Sequence, residues 1–408
     1  MSEGNSLRRS ISLPLLTLYG LGTTIGAGIF ILTGKVAGEA GAFAPLAFLL
    51  ASLLAGFAAL SFAEMASRFP ESGGEAVYIK EGLGSDRLAV LTGLLVILAG
   101  LVSTATIIVG FSGYFSELIA LPAPASKIGV AIVLGLIAFW GVRESVSIAA
   151  FITVAEIGVL VVIIGFGVPQ LDPEIMRSAL HSQPADLAAG VGVLSGAMLA
   201  FYAFIGFEDI VNVAEETQDA KRNVPRAIII TLVVTTILYA LVSIIAVSLS
   251  PIAELAASAA PLTFLFERIS GLPGETISVI AIFSVLNGAL IQIIMASRVF
   301  YGLSRRGWLP GWLGAIHRRT QTPGNAIIVC VLAVAILATL FPIEGLARVT
   351  SVITLTIFVL VAVALIQLKR KSGNAPPGIF TVPFWLPVVS VVLIGFLLVF
   401  EGVRRLVW

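Results

Sequence analysis

The sequence predicts an all-α integral membrane protein: a single transmembrane domain over residues 1–408 with about 11 membrane-spanning helices. Hydrophobic residues make up 58% of the chain and charged residues only 12%, whereas soluble domains contain about 25% charged residues. The apolar residues are gathered into long runs, and roughly 20 consecutive apolar residues cross a bilayer. Because every backbone polar group in lipid must be hydrogen-bonded within the chain, these runs are predicted to be helices.

The apolar runs are separated by short polar segments, none of which is long enough to form a soluble domain. In chain order the runs cover residues 15–32, 44–65, 88–118, 128–142, 148–168, 191–207, 227–249, 276–303, 326–340, 349–368 and 382–403. No competing alternation of apolar and polar residues predicts a β-strand.

The distribution of lysine and arginine predicts the orientation. With the N-terminus in the cytoplasm, 17 of the 24 basic residues fall in cytoplasmic segments, which is the positive-inside pattern. We therefore expect a multi-pass protein of the cell (inner or plasma) membrane with a cytoplasmic N-terminus. An odd number of spans places the C-terminus outside, where Arg404 and Arg405 depart from the pattern.

Two of the runs are interrupted near their midpoints. Residues 20–30 of the first run read GLGTTIGAGIF, and each glycine costs about 1 kcal/mol relative to alanine in a helix. In the sixth run, Gly206 is followed by Phe207, Glu208 and Asp209. Broken helices at matching places in two halves are typical of transporters built from inverted repeats. This predicts a five-plus-five inverted repeat, residues 8–168 and 185–370, with helices 1 and 6 broken and an additional helix over residues 376–408.

The chemistry of a helix break suggests a ligand with two charged ends. A half-helix that begins near Gly28 presents free N–H groups and a positive dipole end, which suit a carboxylate. Carbonyl groups released near Thr24, Tyr202 and Ile205 suit an ammonium group. The alternative is that the glycines only let neighbouring helices pack closely.

Four segments resemble the amino acid–polyamine–organocation transporters. They are residues 22–41, GTTIGAGIFILTGKVAGEAG; residues 69–84, FPESGGEAVYIKEGLG; residues 204–228, FIGFEDIVNVAEETQDAKRNVPRAI; and residues 296–310, ASRVFYGLSRRGWLP. The order and spacing match from about residue 8 to residue 370. The resemblance implies the leucine-transporter fold and secondary active transport of an amino acid by alternating access, either proton-coupled or by exchange. Family members usually have twelve spans, one more than this chain.

The resemblance also implies roles for particular residues. The backbone amides of the first break would hold the substrate carboxylate, and carbonyls at both breaks would hold its amine. An aromatic residue of the sixth helix, Tyr202 or Phe207, would cover the substrate, and Glu208 matches a carboxylate near the gate. The substrate-binding residues expected on this basis are Thr24, Ile25, Gly26, Ala27, Gly28, Tyr202, Phe204, Ile205 and Gly206, and the gate residues are Tyr202, Phe207 and Glu208.

The fifth span departs from the family at Glu156, in the stretch FITVAEIGVL. Relatives often carry lysine at this position, where it takes the place of a sodium ion. Glu156 is therefore predicted to be an ion-coupling residue, since an ionisable group within a span is costly and usually functional. Three interpretations stay open in this order: it exchanges a proton, it makes a structural hydrogen bond, or it binds sodium.

Other classes of function are less consistent with the sequence. A polyamine or organic cation carrier and a transporter-like amino acid sensor remain alternatives. No motif of an intramembrane enzyme is present, no metal site or cofactor is expected, and no basic face indicates nucleic acid binding. A disulfide-linked partner subunit is not expected, because the single cysteine, Cys330, lies within the ninth run. The expected partners are an amino acid, protons (less favourably sodium) and the lipid bilayer, and the sequence does not name the amino acid.

Overall fold

A computed structural model describes residues 11–26, 28–70, 74–140, 146–172, 174, 187–305, 307–318, 320, 322–372 and 375–407. Within these ranges the fold is helical, and the only strand-like pairing is an isolated bridge between Ile11 and Thr217. The α-helices are α1 (Leu13–Ile25), α2 (Gly28–Ala40), α3 (Ala44–Arg68), α4 (Gly74–Leu83), α5 (Asp86–Ser116), α6 (Ala123–Trp140), α7 (Val146–Gly167), α8 (Leu187–Tyr202), α9 (Ala220–Leu249), α10 (Ile252–Ala257), α11 (Pro261–Ser270), α12 (Glu275–Arg305), α13 (Gly324–Leu340), α14 (Ile343–Ser372) and α15 (Trp385–Val407).

The predicted all-α membrane fold is confirmed. Among the described residues, eight helical segments are long and apolar enough to cross a membrane, and three further apolar helices are shorter. The described residues of each of the eleven predicted runs fall on one of these helical segments or, in the first run, on α1 and α2. Large apolar side chains such as Leu136, Val392 and Val399 are more than half exposed, as expected of surfaces that face lipid. The chain is a multi-pass membrane protein.

Both predicted interruptions are present. Helix α1 ends at Ile25, Gly26 forms a turn, and α2 begins at Gly28. The sixth span is α-helical only to Tyr202, passes through turns, and continues as a 3₁₀ helix, Phe207–Glu216. Gly206, at the second break, has φ = 126°, a conformation that glycine adopts without the steric cost of a side chain. The inverted relation between residues 8–168 and 185–370 stays a prediction.

The broken helices lie inside a frame of longer ones. Helices α5 and α12 pack along each other, α9 packs against both α1 and α3, and α7 packs against α1. At the α1–α7 contact, a Cβ on Gly22 would run into Thr153 Oγ1. The absence of a side chain at Gly22 therefore lets the fifth span approach the first break.

A buried charge cluster, the Glu64 cluster, ties the last two helices to α3. The fully buried carboxylate of Glu64 accepts hydrogen bonds from Arg68 Nε (2.9 Å) and from the backbone N–H of Val382 (2.8 Å), and Lys369 Nζ lies 2.7 Å from it. Two cations and one N–H group thus compensate this charge. The chain between α14 and α15 is held against α3 as a result.

A second group, the Arg348 cluster, includes Arg404, one of the two basic residues that depart from the predicted positive-inside pattern. Arg348 pairs with Glu39 of α2 and lies 3.5 Å from Glu401 of α15. Arg404 lies 3.5 Å from Glu39 and 4.0 Å from Glu401. The guanidinium group of Arg404 is therefore paired within the protein. The side chain of Arg405 lies outside the described residues, as do Arg8 and Arg9.

Candidate substrate site at the two helix breaks

The two helix breaks touch each other. The hydroxyl group of Thr23 donates a hydrogen bond to the carbonyl oxygen of Gly206 at 2.9 Å. A Cβ on Gly206 would run into the carbonyl group of Thr23, and a Cβ on Gly28 would lie 2.6 Å from Ala203 Cβ. Glycine is required at both positions by close packing, so the packing interpretation of these glycines also holds. Packing and site formation are not exclusive here, because the same contact brings the broken backbones together.

Tyr239 of α9 contacts both breaks through its hydroxyl group. Its hydroxyl oxygen lies 3.0 Å from the carbonyl oxygen of Thr24 and 2.9 Å from that of Ala203. A hydroxyl group has a single hydrogen to donate, so the two carbonyl groups share it. The fully buried ring of Tyr239 also packs edge-to-face against Phe204, with 5.1 Å between the centroids. One residue thus positions both interrupted helices.

A cleft, here called the break chamber, opens at the junction of the two breaks. Four of the predicted binding residues line it: Thr24, Gly28, Tyr202 and Ile205. The Thr24 hydroxyl is buried and has no hydrogen-bond partner among the described residues. Such a group is costly to leave unpaired. A residue that lines the break chamber therefore carries a buried polar group that is unpaired in this conformation.

A second cleft, here called the acidic chamber, adjoins the first and has Glu75, Glu208 and Asp209 in its wall. Glu208 Oε2 accepts a hydrogen bond from the backbone N–H of Gly206 at 2.8 Å, so this carboxylate lies at the second break. Glu75 belongs to α4, between the spans, and burial raises its pKa above the ordinary value. The two chambers share four lining residues, which are Ser103, Ile205, Asp209 and Gln292.

The other predicted binding residues pack around the chambers. Ile25 and Phe204 are fully buried in the core, and the backbone N–H of Gly26 donates to the carbonyl oxygen of Gly22 at 3.2 Å. Gly206 is wedged against Thr23. The Gly26 amide therefore has a partner already in this conformation. Ala27 lies outside the described residues.

Two predicted ammonium contacts and the gate residues also have defined partners. The Thr24 carbonyl accepts from Tyr239, and the Tyr202 carbonyl accepts from the Ile205 N–H at 3.2 Å. The Tyr202 hydroxyl lies 3.1 Å from the hydroxyl oxygen of Ser103. Phe207 is fully buried against Phe62 and Phe358, with ring centroids 6.0 and 5.2 Å away. An aromatic cluster thus adjoins the acidic chamber, because Phe358 also lines that chamber.

Glu156 is fully buried, and neither carboxylate oxygen has a hydrogen-bond partner in the described part of the chain. Ser284 of α12 is within reach, but its hydroxyl donates to the carbonyl oxygen of Ile280 at 2.9 Å. The carboxyl group is also close enough to Tyr239 to act on it electrostatically. The predicted coupling residue is thus within electrostatic range of the side chain that bridges both breaks.

Several residues of the chambers were not predicted as binding residues. They are Thr23, Glu75, Val96, Ala99, Gly100, Ser103, Ile107, Asp209, Gly288, Ile291, Gln292, Met295, Thr350, Thr354, Ile357 and Phe358. Helical spacing could have grouped some of these residues on shared helix faces. Ser103 and Ile107 are four residues apart in α5, and Gly288, Ile291 and Gln292 fall on one face of α12. Glu75 offered a second signal, as a carboxylate that follows two glycines between apolar helices.

These features define a class: a multi-pass membrane transporter whose cavity is formed at two interrupted helices. A family model for amino acid permeases matches residues 11–404. The chain therefore belongs to the amino acid permease family, within the amino acid–polyamine–organocation superfamily, and it is a transporter and not an enzyme.

Characterised relatives align along almost the whole chain. The branched-chain amino acid permease BcaP of Bacillus subtilis is 32% identical, over 100% of this chain and 92% of that protein. The methylthioribose transporter of the same organism is 30% identical, over 98% and 89%. The mitochondrial cationic amino acid transporter 3 of Arabidopsis thaliana is 30% identical, over 89% of this chain and 63% of that protein.

Proposed function

We propose that this chain is a secondary active amino acid transporter of the plasma membrane, with a cytoplasmic N-terminus, that works by alternating access. The observation that carries the proposal is the meeting of two interrupted helices at the break chamber, which is lined by Thr24, a residue whose buried hydroxyl group has no partner among the described residues. The start of α2 at Gly28 suits a carboxylate. Names of relatives such as a branched-chain amino acid permease and a cationic amino acid transporter support an amino acid as the substrate.

Substrate binding would require a rearrangement at the first break. The Gly26 amide and the Thr24 carbonyl both have protein partners in this conformation. A substrate carboxylate and ammonium group would replace these partners and thereby alter the contact between α1 and the sixth span. Differential contacts of this kind are what allow a ligand to shift a conformational equilibrium.

We further propose that Glu156 couples transport to protons. A buried carboxylate without a hydrogen bond is costly to ionise, so a neutral, protonated Glu156 fits the closed packing around it. Solvent access in another conformation would permit proton release. An ionised Glu156 would then act electrostatically on Tyr239, whose hydroxyl group contacts both breaks. A purely structural role and sodium binding follow in that order as alternatives.

Transport by the purified protein in liposomes tests the proposal. Uptake of amino acids would be measured with an inward proton gradient, with an inward sodium gradient, and with unlabelled amino acid inside and no ion gradient. We expect accumulation with the proton gradient, or counterflow alone if the protein is an exchanger. Accumulation that follows sodium and ignores pH would contradict proton coupling. Binding without any movement of substrate would identify a sensor.

A further inference from the structure

Three hydroxyl-bearing residues form a row along α9, here called the hydroxyl row. Thr231, Thr235 and Tyr239 are spaced four residues apart, so they share one face of the helix, and all three are fully buried. Tyr239 lies at one end of the row, where its hydroxyl group contacts both helix breaks and where Glu156 acts on it electrostatically. The row therefore leads from the breaks and the predicted coupling residue towards the start of α9.

The two threonines of the hydroxyl row have unused hydroxyl groups. A threonine in a helix commonly donates to the carbonyl group four residues earlier, as Thr92, Thr104 and Thr106 do in α5. The hydroxyl groups of Thr231 and Thr235 have no hydrogen-bond partner among the described residues. A buried polar group without a partner costs free energy, and a partner gained in another conformation would offset that cost.

Both interrupted spans close the hydroxyl row at Thr231. A Cβ on Gly20 of α1 would lie 2.8 Å from Thr231 Oγ1 and would also run into Ile210. Ile210 is fully buried and belongs to the 3₁₀ helix that follows the second break. Because both spans come together beside Thr231, a movement of either one at its break would change the space next to this hydroxyl group.

The spacing of the hydroxyl row suits water. A helix rises 1.5 Å per residue, so Thr231 and Thr235 lie about 6 Å apart along its axis. A water molecule that hydrogen-bonds to both hydroxyl groups at about 2.8 Å nearly spans that distance. Arg226, which is exposed, lies only about 7.5 Å from Thr231 along the same axis. The row thus ends close to the charged, solvent-exposed start of α9.

The surroundings of Glu156 contain few other polar groups. Tyr239 of α9 and Ser284 of α12 face it in the described part of the chain. Helix α1, which packs against α7, has no charged residue. The charged residues of α9, α11 and α12, which also pack against α7, lie towards the ends of those helices. The hydroxyl row is therefore the polar route that leaves this region along α9.

We infer that Thr231 and Thr235 bind water molecules that carry the proton between Glu156 and the solvent at the start of α9, once the first helix has moved away from Thr231. This inference rests on the proposed function, since Glu156 is taken to be the coupling residue. A hydroxyl group both donates and accepts, so each threonine accepts a proton from one neighbour and releases its own to the next. The O–H bond of Glu156 breaks and an O–H bond forms on solvent water. The products are a carboxylate and a hydronium ion, and both threonines end unchanged.

Transport in liposomes by a double variant, Thr231→Val with Thr235→Val, tests the inference. Valine has nearly the shape of threonine without the hydroxyl group. We expect accumulation driven by an inward proton gradient to slow about tenfold, the scale of losing a buried hydrogen-bonding group. Exchange, which moves no net proton, should keep its rate. Thr236→Val is the matched control, because this half-buried threonine lies on another face of α9, and it should change neither rate.

A conservative variant keeps the test decisive if the double variant is inactive. Thr235→Ser retains a hydroxyl group that Thr235→Val lacks. We expect Thr235→Ser to accumulate substrate at close to the wild-type rate and Thr235→Val to accumulate it more slowly, with equal rates of exchange. Equal accumulation by these two variants would overturn the inference. A parallel loss of exchange and accumulation in Thr235→Val would also overturn it, since that result means a structural role.

The outcomes separate this inference from the proposed function. If the wild-type protein accumulates substrate with a proton gradient and the double variant does so at the same rate, the hydroxyl row carries no proton and coupling by Glu156 stands. If wild-type accumulation follows sodium, or if only exchange occurs, proton coupling and the hydroxyl row both fail while amino acid transport stands.

Discussion

The hydroxyl oxygen of Tyr239 lies 3.0 Å from the carbonyl oxygen of Thr24, at the end of the first half of a broken helix. The same hydroxyl group lies 2.9 Å from the carbonyl oxygen of Ala203 at the other break. Tyr239 is part of α9, a continuous helix, so a rigid element holds two irregular ones. The site therefore depends on a residue that does not line either chamber.

Replacing Tyr239 by phenylalanine removes this bridge while retaining the ring. We expect Tyr239→Phe to lower the free energy of unfolding by about 1 kcal/mol, the usual net contribution of one buried hydrogen bond. Substrate affinity should fall as well, because the two breaks are no longer held together. Thermal unfolding in detergent and ligand titration would measure both. Tyr301→Phe, which removes a hydroxyl from an exposed contact with Arg305, is the control and should change neither quantity.

A methyl group at Gly28 should separate the breaks. In Gly28→Ala the new Cβ would lie 2.6 Å from Ala203 Cβ, so the second break must move. We expect at least a tenfold loss of substrate affinity and a lower melting temperature. Gly165→Ala in α7 is the matched control, since nothing lies within 4 Å of its Cβ and alanine favours a helix. Wild-type affinity in Gly28→Ala would contradict the placement of the site.

Glu156→Gln should separate exchange from uphill uptake. The glutamine mimics a protonated carboxyl group but cannot release a proton. We expect substrate exchange to continue, because it requires no net proton movement, and accumulation driven by a proton gradient to stop. Both are measured in the same liposome preparation, and the exchange rate serves as the control for folding.

Two results would alter the interpretation of Glu156. Accumulation by the Gln variant under a proton gradient would show that Glu156 is structural, and Glu208 would be tested next. Loss of both exchange and accumulation would mean that the residue is needed for the fold or for substrate binding. Neither result is compatible with a role in proton release alone.

Removing Arg348 should be strongly destabilising. Its guanidinium group compensates Glu39 and Glu401, and the Glu401 side chain is only 3% exposed. Breaking a buried ion pair by removing one partner typically costs about 3 kcal/mol or more, so Arg348→Ala should markedly lower the melting temperature. Arg222→Ala removes an exposed pair with Asp219 at 3.9 Å and should cost less than about 1 kcal/mol. Similar losses in the two variants would argue that the Arg348 cluster contributes little.

Much of the helical frame was predictable because its signals are local. A run of apolar residues identifies a membrane helix wherever it lies in the chain, and glycines at Gly26 and Gly206 weaken a helix where they occur. Such signals predict the all-α fold, the interruptions of the first and sixth spans, and four residues of the break chamber. The placement of the breaks at matching positions of the two halves also predicted that they form one site.

The tertiary structure decided which side chains face one another. A helix that contacts lipid on one side and protein on the other is apolar all round, so its sequence carries little information about its rotation. That rotation places the Tyr239 hydroxyl group near both breaks, Glu75 and Asp209 in the wall of one cavity, and Arg404 near Glu39. The sequence by itself determined where the chain crosses the membrane and where its helices break, because these properties depend on neighbouring residues. The cavities and charge pairs depend on residues up to hundreds of positions apart, and only the packed helices bring them together.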